Sequence, residues 1–181
     1  MPAAKKCKIC KQPASLKTPA GHFCSIEHVY QHARNLQDKA RAAKEKRARQ
    51  EHKQRKEAVK TRSEWLKQAQ TVFNQYIRLR DAGQPCISCQ RHHQGQYHAG
   101  HYLTVGACPE LRFTELNVHK QCSACNNHLS GNLVNYRINL IKKIGLDKVE
   151  WLEGKHEPLK LSIDEIKELI ATYRAKIKSI K

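Results

Sequence analysis

Asn117-Val118-His119-Lys120-Gln121-Cys122-Ser123-Ala124-Cys125-Asn126-Asn127-His128-Leu129-Ser130-Gly131-Asn132 carries a Cys-x-x-Cys knuckle with Asn and His on both flanks. A second knuckle, Cys86 and Cys89, is separated from it by 32 residues. Zinc prefers four tetrahedral N/S ligands, and a Cys-x-x-Cys turn offers two thiolates to one ion with little strain. Cys86, Cys89, Cys122 and Cys125 therefore read as a complete structural zinc set. The alternative is four reduced core cysteines whose spacings coincide by chance. In a domain of about 60 residues such an ion would supply much of the folding free energy. A third knuckle, Cys7 and Cys10, finds two further ligands in Cys24 and His28, which a helical turn would place on one face. His22 competes for the fourth place, giving two structural Zn²⁺ in all. Cys108 has no partner in the sequence and reads as a small buried residue.

The chain has 181 residues, room for one small domain with appendages. Its 34 Lys+Arg against 16 Asp+Glu leave a formal charge of +18 and a pI near 9.8. Such a chain is drawn to polyanions, nucleic acid above all. Mean hydropathy is −0.75, and no apolar run approaches the ~18–20 residues of a spanning helix, which excludes a membrane protein. Met1-Pro2-Ala3-Ala4-Lys5-Lys6 has no apolar signal core. The expected compartment is a reducing cytoplasm, where paired cysteines are more often metal ligands than disulfides.

Four segments follow. Residues 1–28 form the N-terminal zinc finger. Residues 29–80 contain no Gly or Pro and predict a long basic helix or linker. From Arg34 to Lys67 there are thirteen Lys/Arg, five Asp/Glu and few large apolar residues. A helix polar all round is either a solvated linker or lies on a charged partner. The one-sided surplus favours a phosphate-contacting arm, with Arg41, Lys44, Lys46, Arg47, Arg49, Lys53, Arg55 and Lys56 as its DNA contacts. From Trp65, the residues Trp65, Ala69, Val72, Phe73, Tyr76 and Ile77 make an apolar stripe suited to packing on the next domain, residues 81–145. Residues 146–181 form a C-terminal helical segment. There Ser162 and Glu165 make a capping-box signal, followed by a stripe from Ile163 to Ile180. Packing on the chain's own domain is the plain reading of that stripe. A short dimerising coiled coil is the other, weakened by fewer than three heptads.

Between the knuckles lie Tyr97-His98-Ala99-Gly100-His101-Tyr102 and Leu111-Arg112-Phe113. His101, an Asn sixteen residues on and Asn126 nine further, braced by a split four-cysteine set, resemble the HNH (ββα-metal) nuclease motif. The resemblance implies an α+β fold: a small zinc-braced ββα-metal domain with an N-terminal finger, a long basic helix and C-terminal helices. It makes His101 the general base, and neutral imidazole suits that role. Asn117 would fix the loop or orient the base. Asn126 would be both catalytic and a ligand, with His98 and His128, of a catalytic Mg²⁺ or Mn²⁺. His119 ranks behind them, on a strand leading into Cys122 with Lys120 turned outward to DNA. His92 and His93 read as ordinary exposed or core histidines. One departure stands out: Gly100 occupies the place where the motif usually has an acidic residue or His.

More of the chain resembles one family in that group. The finger, the basic helix, Pro85-Cys86-Ile87-Ser88-Cys89, Ala99-Gly100-His101-Tyr102, Leu111-Arg112-Phe113, His119-Lys120-Gln121-Cys122 and Ser130-Gly131-Asn132-Leu133-Val134 are together similar to the NinG (Rap) family of lambdoid phages. This implies a phage-encoded recombination endonuclease in the bacterial host cytoplasm, cutting branched or single-strand-containing DNA such as D-loops and Holliday junctions. Apart from the resemblance, a homodimer would suit paired incisions, with the short Ile163-to-Ile180 stripe as its one support in the sequence, and the C-terminal helix is the candidate place for a recombination partner to dock. His28 stands where that family usually has Cys, and His98 where it has Asp. Two other readings stay open. One is a non-catalytic zinc DNA-binding or architectural protein. The other is a sequence-specific HNH nuclease, which would be expected to show a separate base-reading module.

Overall fold

The chain divides between Lys60 and Thr61 into two units, in a computed structural model that describes residues 5–180. In the first, β1 (Leu16–Thr18) and β2 (Gly21–Phe23) pair antiparallel, Leu16 opposite Phe23, and lead into α1 (Ile26–Ala58). Cys7 and Phe23 are the buried residues of this unit among those described. Helix α1 has 33 residues and buries none of them, so tertiary packing does not hold it. Its support is local: Ser25 caps it by accepting the His28 N–H at 3.3 Å, and Ala, Lys, Arg, Gln and Glu are strong helix formers.

The single helix expected over 29–80 is two. Helix α1 stops at Ala58, and α2 (Arg62–Arg80) restarts on a capping box at Thr61. The Thr61 hydroxyl accepts the Glu64 N–H at 3.3 Å, and Glu64 accepts the Thr61 N–H at 2.8 Å. The box satisfies the first-turn donors without any Gly or Pro to mark the break.

The second unit adds β3 (Tyr97–His101), β4 (Val118–Cys122), α3 (Leu133–Ile144), α4 (Leu146–Glu153) and α5 (Ile163–Ile180). The α2 stripe packs on Ile166, Ile170, Tyr173 and Ile177 of α5, with Val118 of β4 joining them. Phe73 lies edge-on to Phe113 and Tyr173, centroids 5.7 and 4.9 Å away. The middle of the α5 stripe, Ile166 to Ile177, is thus covered within the chain, while its end residues Ile163 and Ile180 are exposed. A second core joins Ile87, Tyr102 and Leu111 to Tyr136 and Leu140 of α3 and to Val149 and Leu152 of α4. The segment expected to begin at 146 therefore shares its core with the segment before it.

Strands β3 and β4 form an antiparallel ladder from Tyr97 opposite Cys122 to His101 opposite Val118. A single π turn, Ala124–His128, follows β4, and Ser130, Gly131 and Asn132 then take φ of 47°, 87° and 45°. Buried Asp81, at the end of α2, ties that helix to β4. It accepts from Arg80 at 2.8 and 2.9 Å and from the Lys120 N–H at 3.1 Å. Burial pushes its carboxyl up, but His119, Arg80 and Lys143 outweigh burial and hold it well below the usual carboxylate range. Among the described residues no helix is long and apolar enough to cross a membrane.

Candidate functional site

The Sγ atoms of Cys86, Cys89, Cys122 and Cys125 lie within 4.8 Å of one another. The hairpin delivers one of the four directly, because β4 ends on Cys122, and the π turn that follows delivers Cys125. The Ile87 N–H bonds Lys120 O at 3.0 Å and so pins the first knuckle to the strand. N–H groups surround the sulfurs: Cys122 N to Cys86 Sγ at 3.3 Å, Cys125 N to Cys122 Sγ at 3.5 Å, Asn132 Nδ2 to Cys125 Sγ at 3.7 Å. Burial raises the Cys86 thiol, but the amides of Cys122, Cys89 and Ser88 overcome it and bring it below its ordinary value. Such donors orient thiolates for a metal. His93, read as an ordinary histidine, has Nε2 3.1 Å from Cys89 Sγ. Its four-residue step from Cys89 is the one trace of this in the sequence.

Cys7, Cys10, Cys24 and His28 form the second cluster, again within 4.8 Å. Cys24 Sγ lies 2.9 Å from His28 Nδ1. His22 sits on β2 opposite Lys17, outside the cluster. Soft sulfur and imidazole donors without a carboxylate suit zinc, so both clusters could hold it.

A cleft of about 480 Å³ is lined by Ala99, His101, Gln121, Asn126, Ser130 and Gly131, with Thr104, Val105 and Leu133. His101 Nε2 lies 3.1 Å from Arg112 O. A carbonyl can only accept, so Nε2 carries the hydrogen and Nδ1 is the ring's proton acceptor. Burial lowers the pKa of this imidazole, against the pull of the Arg112 carbonyl and with the Arg112 charge adding to it. The ring is neutral at pH 7. Asn126 is half-buried and donates to Asn127 Oδ1 at 2.7 Å.

Asn117 is fully buried and does not line the cleft. Its Oδ1 accepts the Leu103 N–H at 2.8 Å, and its Nδ2 donates to Leu103 O at 2.9 Å and Leu111 O at 3.3 Å. Of its two expected roles it fills the first, closing the loop that ends at Arg112. His128 is exposed in the π turn and also lies off the cleft lining. His98 pairs across the ladder with Gln121, and its buried Nε2 has no hydrogen-bond partner among the described residues. The structure thus brings His101 and Asn126 to one cleft and leaves His98, Asn117 and His128 off its lining, His98 standing opposite the lining residue Gln121 in the ladder.

Gln121 carried no assignment from sequence. It is fully buried and lines the cleft. Its Nε2 donates to Ser88 Oγ at 2.7 Å and to Gly131 O at 2.5 Å, while Oε1 has no donor among the described residues.

Arg41, Lys44, Lys46, Arg47, Arg49, Lys53, Arg55 and Lys56 are all exposed on α1. At about 100° per residue they ring the helix and do not stripe one face. Lys120 differs from its expected outward position. It is 6% exposed, its Nζ donates to Ala82 O at 2.7 Å, and it sits 4.4 Å over the Tyr97 ring. All five residues of β4 are buried, so alternation sends none of them to water. Lys120 is therefore a buried tie and not a surface cation. His119, also on β4, accepts from Arg80 at Nδ1 (3.1 Å) and donates from Nε2 to Leu116 O (3.1 Å), away from the cleft. Cys108 is half-buried at the edge of the second core.

Residues 1–181 match the family described as Bacteriophage Lambda NinG protein. Protein ninG of Escherichia phage 933W is 44% identical over 191 aligned positions, covering 99% of this chain and 95% of the relative. Protein ninG of Enterobacteria phage H19B is 43% identical over the same shares. Protein ninG of Escherichia phage lambda is 49% identical over 127 positions, 70% of this chain and 62% of the relative. No solved structure matches the chain.

Proposed function

The chain belongs to the bacteriophage NinG family, and from that premise we propose that it is a metal-dependent endonuclease of the HNH, or ββα-metal, type, hydrolysing phosphodiesters in branched recombination DNA. The observation that carries this reading is that a neutral His101 and Asn126 line one cleft on a hairpin clipped by four cysteines. His101 takes a proton from the attacking water at Nδ1. The Nε2–H bond to Arg112 O keeps that tautomer and stabilises the imidazolium that results. Asn117 holds the Leu103–Leu111 loop and, through it, the Arg112 carbonyl in place.

A divalent cation, Mg²⁺ or Mn²⁺, would offset charge on the scissile phosphate and on the leaving 3′ oxygen. The donors present fit such a group: the amide oxygen of Asn126 at the cleft, and next to the cleft, opposite Gln121 in the ladder, the buried His98 Nε2, which has no hydrogen-bond partner among the described residues. His128, exposed in the π turn, does not line the cleft, so the geometry adds no support for it as a third ligand. The cations that ring α1 would neutralise phosphates without reading bases, so binding would be steeply salt-dependent. Branched intermediates as substrate are what the family resemblance implies; two copies making paired cuts and a docked recombination partner are further parts of the proposal.

The test is incubation of branched and linear duplexes with Mg²⁺ or Mn²⁺, using the parent and His101→Ala. The parent nicks the branched substrate, and the variant binds it without nicking. A second reading has one observation in its favour: among the described residues no carboxylate lines the cleft. In that reading the protein is a non-catalytic DNA-binding factor, and a parent that binds but never cuts would establish it. Cutting of linear DNA at one fixed sequence would instead point to a sequence-specific nuclease.

A further inference from the structure

We infer that Gln121 is an oxygen ligand for the divalent cation, and that a phosphate oxygen of the bound DNA, not a protein carboxylate, completes the site. This rests on the nuclease reading in taking a divalent cation as the occupant. The orientation of the amide is fixed by chemistry. Ser88 Oγ and Gly131 O both receive Gln121 Nε2, and Ser88 already spends its own hydrogen on Gly131 O at 3.1 Å. Turning the amide over would face its oxygen with a backbone carbonyl, which can only accept. Oε1 is therefore the free end, in a residue with no solvent exposure, at a cleft shared with His101 and Asn126. A buried amide oxygen without a donor is costly unless something binds it.

Two features of the backbone are arranged around that oxygen. A Cβ at position 100 would lie 2.1 Å from Gln121 Oε1 and 2.9 Å from Gln121 Cβ. Gly100 has no left-handed φ to explain it, so its lack of a side chain is what admits the amide. On the other side, Ser130, Gly131 and Asn132 hold three successive left-handed conformations, an arrangement L-residues adopt reluctantly. That run carries the Gly131 carbonyl that locks Gln121. His98, opposite Gln121 in the ladder, brings the second buried polar atom lacking a partner. Paired residues on one face of a ladder have Cβ atoms about 5 Å apart.

An amide oxygen suits a hard cation. Gln121, Asn126 and His98 bring no negative charge, and charge count sets affinity for such ions. The free protein should hold the cation weakly, and DNA phosphates should supply the missing negative charge.

The test is Mn²⁺ titration of the zinc-loaded full chain, followed by the electron paramagnetic resonance signal of free Mn²⁺. It is run with and without a branched duplex, in a His101→Ala background so that the DNA stays whole. Added DNA tightens Mn²⁺ binding at least about tenfold. Gln121→Met weakens it about tenfold while zinc stays at the parental stoichiometry. Gly100→Ala, which displaces the oxygen without removing it, acts in the same direction and decides the matter if Gln121→Met loses zinc. Unchanged Mn²⁺ affinity in both variants, with loss in Asn126→Ala, overturns the role of Gln121 and leaves the nuclease reading standing. No Mn²⁺ binding by any form, with or without DNA, overturns both.

Discussion

The two cysteine clusters offer a metal similar donors, yet their surroundings ask different things of it. Around Cys7, Cys10, Cys24 and His28, Cys7 and Phe23 are the buried residues among those described. Around Cys86, Cys89, Cys122 and Cys125, two apolar cores flank the hairpin, one between α2 and α5 and one under α3 and α4. A metal at the first cluster stands in for a core. A metal at the second is a clip, added to a unit with cores of its own, that fixes β4 to the segment carrying Asn126. A proton-accepting ring at His101, as proposed, would need the second arrangement, because a ring is only as well placed as the strand beneath it.

Chelation should separate the two most sharply. Zinc binding in small sites amounts to roughly 10 kcal/mol or more of folding free energy, so stripping both ions melts the first cluster's hairpin outright. The α2–α5 core stays folded. Amide exchange reads the difference: fast at 16–23, protected at 166–177. Equal loss at both, or at neither, breaks the contrast. Next in size, Phe73→Ala removes the ring shared by Phe113 and Tyr173 and lowers the stability of the second unit by about 3–5 kcal/mol, with zinc at Cys7 and its partners untouched.

Asp81→Ala should cost about 3 kcal/mol, because it leaves Arg80 and the Lys120 N–H without their buried partner. The pH dependence has a definite sign. The folded Asp81 carboxyl is strongly depressed, so its stabilisation is full above the unfolded value of about 4, starts to decline below it, and is lost only as pH falls through the depressed folded value. Urea melts of the parent and Asp81→Ala between pH 3 and 7 should therefore differ by a constant amount above about pH 4 and draw closer, without meeting, below it. The smallest effect is Ser25→Ala. Loss of the α1 cap costs about 1 kcal/mol, read as fraying of the first turns by amide exchange, with no change in the second unit.

What the sequence discloses here is what is local or periodic. Cys-x-x-Cys spacing carries both clusters, and steps of three and four residues carry the facing stripes of α2 and α5. The break at Val59-Lys60 was equally local, since Thr61-x-x-Glu64 repeats the pattern of Ser162-x-x-Glu165. It is concealed by composition, there being no Gly or Pro beside it. Lys120 and Gln121 belong to another class. One is a cation beside a surface-seeking basic chain and the other an amide next to a knuckle. Only the ladder, the Ala82 carbonyl and the turn at Gly131 make one a buried tie and the other a cleft wall. Such roles depend on partners about 10 to 40 positions away, and no pattern in β4 alone encodes them.

The claim on which the account stands is that the neutral His101 ring takes the proton from the attacking water. The most direct measurement is the single-turnover rate of cleavage of a branched duplex with Mn²⁺ against pH, for the parent and His101→Ala. Burial depresses the imidazole, so the parent rate should rise with pH along one limb below the ordinary histidine value of about 6.5 and level off above it. His101→Ala should lose about a hundredfold or more at the plateau, and the limb with it, while binding DNA as before. A variant that cuts as fast as the parent, with the same limb, would contradict the account.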